Sequence, residues 1–222
     1  MAVSEARTHT EQGLERKQQL LDAAATLFAS KGYATTRIAD ICAAAGVAKG
    51  LFYWYFPTKE GLFAELVRTM RLQLRRAQAN AMDPEADPVH RIRQGTEASV
   101  VFMAEHRSYF ALLAVERTEE SLAEVLREGS DVYAADVRRL VVAAQQIGQI
   151  PDGDPHLYVT GVLGAVSSFS HSLRNGRLDA PVDELAAFVG EWVERALLGP
   201  VGSGRGGGEF GGEVGVATGH HA

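Results

Sequence analysis

Few side chains in this chain have the types and spacing for covalent chemistry. Ser167, Ser168, Ser170 and His171 bring hydroxyls and an imidazole together, but all four fall within one helical run. No glycine-flanked, strained turn sets a serine up as a nucleophile. There is no HExxH, no CxxC pair and no glycine-rich phosphate loop, so no catalytic residue is assigned and an enzyme is not expected. His220-His221 is too short to hold a metal, and neither a metal nor a cofactor is expected. The single cysteine, Cys42, excludes an intrachain disulfide and fits a reducing compartment. It lies on the inner side of its helix, as a buried thiol would. What remains is non-covalent chemistry between Thr36 and Lys59, where cations and aromatics are interleaved: Arg37, Lys49, Tyr53, Trp54, Tyr55 and Lys59. Such a set suits phosphates and base edges.

The charge distribution agrees. The whole chain of 222 residues carries a net charge of −6. Residues 14–76, however, hold ten Lys and Arg against five Asp and Glu, whereas residues 77–222 hold eleven against twenty-one. A basic head on an acidic body is the asymmetry of a nucleic-acid-binding domain joined to one that does not touch DNA. Chance clustering on a solvated face would give the same count, so charge alone does not decide.

The elements that would position these residues are helices, and no strand-like alternation occurs over a useful length. Leu20, Leu21, Ala24, Leu27 and Phe28 mark an amphipathic helix over 15–31, after a polar, flexible arm at 1–13. Lys31-Gly32 stops it. Thr36 is expected to cap a second helix whose inner face is Ile38, Ile41 and Cys42. Gly46 turns the chain, a third short helix runs over about 48–55, and Pro57-Thr58 opens a long fourth one. After the loop at 83–88, helical patterns cover about 88–105, 107–115, 119–147, 154–175 and 182–198, about nine helices in all. The glycine-dominated tail from 199 cannot bury enough apolar surface to order itself and reads as disordered. The polar N-terminus has no apolar signal core, and no run of 18 apolar residues suggests a membrane span.

The helix pair at 37–56 has the build of a helix-turn-helix. Ala43-Ala44-Ala45 lets a second helix cross closely, and Val47 plugs the angle between the two. At this point the sequence resembles a known family. Gly46-Val47-Ala48-Lys49-Gly50, then Phe52-Tyr53, Tyr55-Phe56 and Thr58-Lys59-Glu60, is similar to the signature of the TetR/AcrR transcriptional regulators. Gly32-Tyr33, Thr36 and Asp40-Ile41 sit at the family's spacing, and the match covers about residues 14–73.

The resemblance implies an all-α protein with three parts: a DNA-binding domain over 14–76, a helical regulatory and dimerisation domain over 77–198, and the glycine-rich tail over 199–222. It assigns Thr36, Arg37, Lys49, Gly50, Tyr53, Trp54, Tyr55 and Lys59 to DNA. Thr36 and Arg37 would meet the backbone, Lys49 and Gly50 would approach a phosphate or a base edge, and Lys59 would clamp a phosphate. Trp54 is open between a DNA role and a structural one. Ala48 departs from the family's common serine or threonine, which removes one phosphate hydrogen bond.

For the body, the resemblance implies a homodimer formed by helices 154–175 and 182–198, although their apolar stripes would equally suit core. It also implies a pocket for a hydrophobic or aromatic small molecule. Candidate lining residues are Phe102, Met103, His106, Tyr109, Phe110, Tyr133, Tyr158, Phe169 and His171, each of which could instead be plain core. The expected function is a cytoplasmic bacterial repressor, bound to the nucleoid through a palindromic operator and released by its ligand. A transcriptional activator or an architectural DNA-binding dimer would carry the same head.

Overall fold

The computed structural model describes residues 2–110 and 134–199, with side chains from Gln12 onward, and every regular element among them is a helix. In chain order these are α1 (Ala2–Lys31), α2 (Ile38–Ala45), α3 (Lys49–Tyr55), α4 (Lys59–Ala81) and α5 (Pro88–Glu105). Residues 107–110 begin a further helix. Then come α6 (134–146), α7 (Pro155–Arg174) and α8 (Val182–Leu198). The all-α expectation holds. The expected break near Thr118 and the glycine-rich tail from 200 lie outside the described residues. None of the described helices is long and apolar enough to cross a membrane.

One boundary differs from the sequence reading. Residues 2–13, expected as a flexible arm, are the first turns of α1. Ala, Glu, Arg and Gln fill half of this stretch, and they cost little in a helix. Elsewhere the local chemistry acts as its residue types require. Thr58 caps α4 by accepting from the Gly61 amide at 3.0 Å. Asp87 caps α5 by accepting from the His90 amide at 2.9 Å, and Pro88 occupies the first turn, where its missing N–H is no loss. Between α2 and α3 the backbone turns at Gly46 with φ +66°, a left-handed conformation that a side chain resists. The Val47 amide then returns to the Cys42 carbonyl at 3.0 Å and closes the end of α2.

The helices gather around two cores. The first joins α1–α4 and includes Leu20, Phe28, Tyr33, Ile41, Phe52, Phe56, Leu62 and Phe63. Edge-on and tilted rings of Phe28, Tyr33 and Phe63 stand 5.1–6.1 Å apart at its centre. Its far end takes in Met70 and Leu74 of α4 together with Phe102 and Tyr109. The second core lies among α5–α8, around Val89, Val100, Val141, Val162, Val189 and Val193. Gly190 allows α8 to lie close on α5: a Cβ there would fall 2.5 Å from Glu97 Cγ. Arg93 of α5 fastens the same contact, reaching Glu97 at 2.8 Å and Glu194 at 2.9 Å.

In the head, Lys17 of α1 pairs with Glu65 of α4 at 2.5 Å, and Arg68 pairs with the other oxygen of that carboxylate. The hydrogen bond from Lys17 is the main reason that Glu65 ionises below the usual glutamate range. A carboxylate with a depressed folded-state pKa adds stability above its unfolded pKa and loses it as pH falls through the folded one. The melting-temperature gap between the wild type and Glu65→Gln is therefore expected at full size above pH ~5. It should close progressively below pH ~4. A gap that widened on acidification would contradict this reading of the pair.

Candidate nucleic-acid interface

The inner residues of α2 and α3 fix which residues can point outward. Ile41, Cys42, Phe52 and Phe56 are buried in the head's core, and Val47 packs against it from the turn. Burial pushes the Cys42 thiol above its ordinary pKa, which suits a structural residue rather than a reactive one. With that phase set, Lys49, Gly50, Tyr53 and Trp54 are exposed on α3, and Arg37 is exposed at the start of α2. Trp54 is 75% exposed and Tyr53 48%, uncommon values for large aromatics on a folded surface. The Lys49 ammonium lies 5.8 Å from the Tyr53 ring centroid, so one cation and one aromatic share a single outward patch.

Gly50 is informative because nothing among the described residues requires it. A Cβ at this position would meet no atom within 4 Å. Its φ is also not in the left-handed region.

Three of the residues expected on this surface are engaged elsewhere. Thr36 is buried, and its hydroxyl donates to the Gly32 carbonyl at 2.7 Å. It does not cap α2. The N-cap is Arg37, whose amide donates to the Asp40 carboxylate at 3.2 Å. Tyr55 donates its hydroxyl to the Gly13 carbonyl of α1 at 2.7 Å and is only half-exposed. Lys59 points inward: its ammonium donates to the carbonyls of Tyr33 at 2.8 Å, Thr36 at 3.1 Å and Ala34 at 3.5 Å. It also stands 4.2 Å from the Tyr33 ring centroid. The first two carbonyls lie within ordinary hydrogen-bond distance, and the third is a longer contact. Within the chain Lys59 is thus a fastening between α4 and the α1–α2 corner.

In the body, a cavity of about 620 Å³ opens between the last turns of α4, α5, α6 and α7. Arg75, Gln78, Met82, Arg91, Thr96 and Arg139 are among the side chains lining it, and none of the eight aromatic, methionine and histidine candidates among the described residues does so. Phe102 and Tyr109 instead belong to the head's core, with Phe110 packed against it. Burial raises the Tyr109 phenol above its usual range. His106 stacks on Phe102 at 4.0 Å between centroids, and Met103 is half-buried nearby on α5. Phe169 meets Phe188 and Trp192 edge-on, and His171 is an exposed partner of Arg174 and Asn175. Tyr158 lines a separate, smaller groove of about 240 Å³ between α7 and α8. Tyr133 lies outside the described residues. The signal for the cavity was spread over several helices: Arg91 and Gly95 are neighbours on α5 by their i, i+4 spacing, Thr96 lies further round the helix, and only α4, α6 and α7 close the space around them.

Comparison with known proteins places this architecture. Residues 20–66 match the family described as bacterial regulatory proteins, tetR family, and residues 85–175 match the tetracyclin repressor-like C-terminal domain. A probable acrEF/envCD operon repressor of Escherichia coli is 31% identical over 149 residues, 64% of this chain and 67% of that protein. The chain belongs to the TetR family. As a TetR-family member it is a DNA-binding transcriptional regulator and not an enzyme. The HTH-type regulator YhgD of Bacillus subtilis is 27% identical over 79% of this chain and 78% of its own. The TetR fold is also that of Bacillus subtilis FadR, solved in complex with stearoyl-CoA: TM-score 0.70, 21% identity, 79% of this chain and 96% of that one.

Lys59→Met is expected to lower stability by roughly 1–2 kcal/mol, because it strips a charged donor from three carbonyls. Lys49→Ala, at a fully outward position, should leave the melting curve unchanged. Equal stability of the two variants in thermal denaturation would contradict the fastening role of Lys59.

Proposed function

We propose that this regulator is a homodimeric repressor that reads a palindromic operator with Arg37, Lys49, Gly50, Tyr53 and Trp54, and that a small molecule bound in the body releases it. The observation that carries the reading is the outward patch on α3, above all Gly50. Within a helix, glycine costs up to about 1 kcal/mol relative to alanine. No neighbour in the chain accounts for that cost, but close approach of a duplex would. Lys49 supplies a phosphate or base contact beside it, and Tyr53 and Trp54 offer apolar edges for sugar or a thymine methyl.

One such helix reads few base pairs, so two copies related by a dyad suit the task. The exposed apolar residues on α7 and α8 support that arrangement: Leu157, Phe188 and Trp192 face solvent in the single chain. Gly161 and Gly164 are open on the same pair of helices, with nothing within 4 Å of a would-be Cβ, which leaves room for a partner helix.

Release follows from α4. Its first turns carry the head, and its last turns, from Arg75 to Met82, line the cavity. A ligand that favours one position of those last turns biases the spacing of the two recognition helices.

Gly50→Ala is the discriminating test. It should match or exceed the wild type in thermal stability while binding operator DNA at least tenfold more weakly in a gel-shift titration. Unchanged DNA affinity would remove α3 as the reading element.

A further inference from the structure

The chemistry of the α4–α7 cavity says more about its occupant than that it is apolar. Ile92, Val137, Leu140 and Val162 give it apolar walls, and Met82 lies across the Gly95 backbone, where a Cβ would fall 2.3 Å from Met82 Cε. Its volume of about 620 Å³ is in the range of small-molecule sites.

The polar part is unbalanced. Three arginines, Arg75, Arg91 and Arg139, line the cavity against one carboxylate, Asp136. Asp136 is already shared by two of them: Arg75 reaches it at 2.8 Å, and Arg139 binds its other oxygen. Arg91 has no ion pair among the described residues, and its Nε is buried without a hydrogen-bond partner there. One turn further along α5, Thr96 is 1% exposed and its hydroxyl is likewise buried and unpartnered among the described residues. Gln78, by contrast, is satisfied by donating to Ser99 at 2.8 Å. A buried donor left unmade costs about 1–3 kcal/mol, so two such groups lining one cavity form a site that a suitable acceptor would complete.

We infer that the effector is an amphipathic anion, with an apolar body among Ile92, Val137, Leu140 and Val162 and a carboxylate or phosphate head at Arg91 and Thr96. This rests on the effector-responsive reading above and replaces a purely hydrophobic or aromatic ligand with a charged one. The guanidinium and the hydroxyl both donate, and a two-oxygen head accepts from both. A neutral alcohol of the same body can accept from a donor but leaves the excess positive charge uncompensated.

The test uses the full-length protein with decanoate, decyl phosphate and decanol, read by calorimetric titration and thermal shift. Decanoate or decyl phosphate should bind at least tenfold more tightly than decanol, and whichever does identifies the head group. Arg91→Met should abolish that preference. Thr96→Val is the second variant, because it removes the orphaned hydroxyl without changing shape. It should melt at or above the wild-type temperature without ligand, yet lose most of the anion-induced shift. Decanol binding as tightly as either anion overturns the inference, as does failure of all three to bind, or anion binding that survives both substitutions. Operator release by decanol would sink the anion claim and leave the effector-responsive reading standing. Anion binding at Arg91 that leaves operator affinity unchanged would keep the site and remove that reading.

Discussion

The attachment of α4 to the α1–α2 corner through the Lys59 ammonium is the constraint on which the rest of the structure depends. Three carbonyls from Tyr33 to Thr36 converge on one charged group, and the Tyr33 ring lies beneath it. These carbonyls leave the end of α1 and the entry to α2, where the backbone has few partners of its own. Meeting them from α4 sets the direction in which the long helix departs. It also fixes the plane of α2 and hence the outward face of α3. Tyr55 repeats the device from the other side, tying α3 to the Gly13 carbonyl of α1. The polar residues of the signature therefore divide between two tasks, some holding the helix pair and others facing out from it.

The same helix gives the molecule its two ends. α4 is continuous from Lys59 to Ala81 and shares its residues between the head's core and the wall of the cavity. The interior of the head is close-packed with interlocking rings, which makes it a body that moves as a unit rather than deforming. α5 is fastened to α8 by Arg93 and by the close approach of Gly190, and to α4 by the buried Gln78–Ser99 hydrogen bond.

Much of this was legible in the sequence, and the parts that were not share a cause. Helical phase alone separates Phe52 and Phe56 from Lys49, Tyr53 and Trp54, because burial of one face follows from a local period. Thr36, Tyr55 and Lys59 were assigned to DNA because hydroxyls and ammoniums serve phosphates and backbone carbonyls equally well. Their partners within the chain are carbonyls, and a carbonyl leaves no mark in the sequence. The first turns of α1 went unread because a polar stretch with good helix formers has no apolar stripe to announce it. The cavity between α4 and α7 went unread for a related reason. Aromatic residues drew attention to Phe102, Tyr109 and Phe110, which pack in or against the head's core, whereas the space between α4, α5, α6 and α7 is bounded by residues unremarkable one at a time. Only their proximity makes an unpaired Arg91 and Thr96 conspicuous.

The central claim is that the outward face of α3 selects a DNA sequence. The most direct measurement is recovery and sequencing of genomic DNA bound in cells by the wild-type chain and by the Lys49→Ala/Tyr53→Ala double variant. The wild type should enrich a two-fold symmetric sequence, and the double variant, folded and with the same oligomeric state, should enrich none. Recovery of the same sequence by both chains would contradict the account.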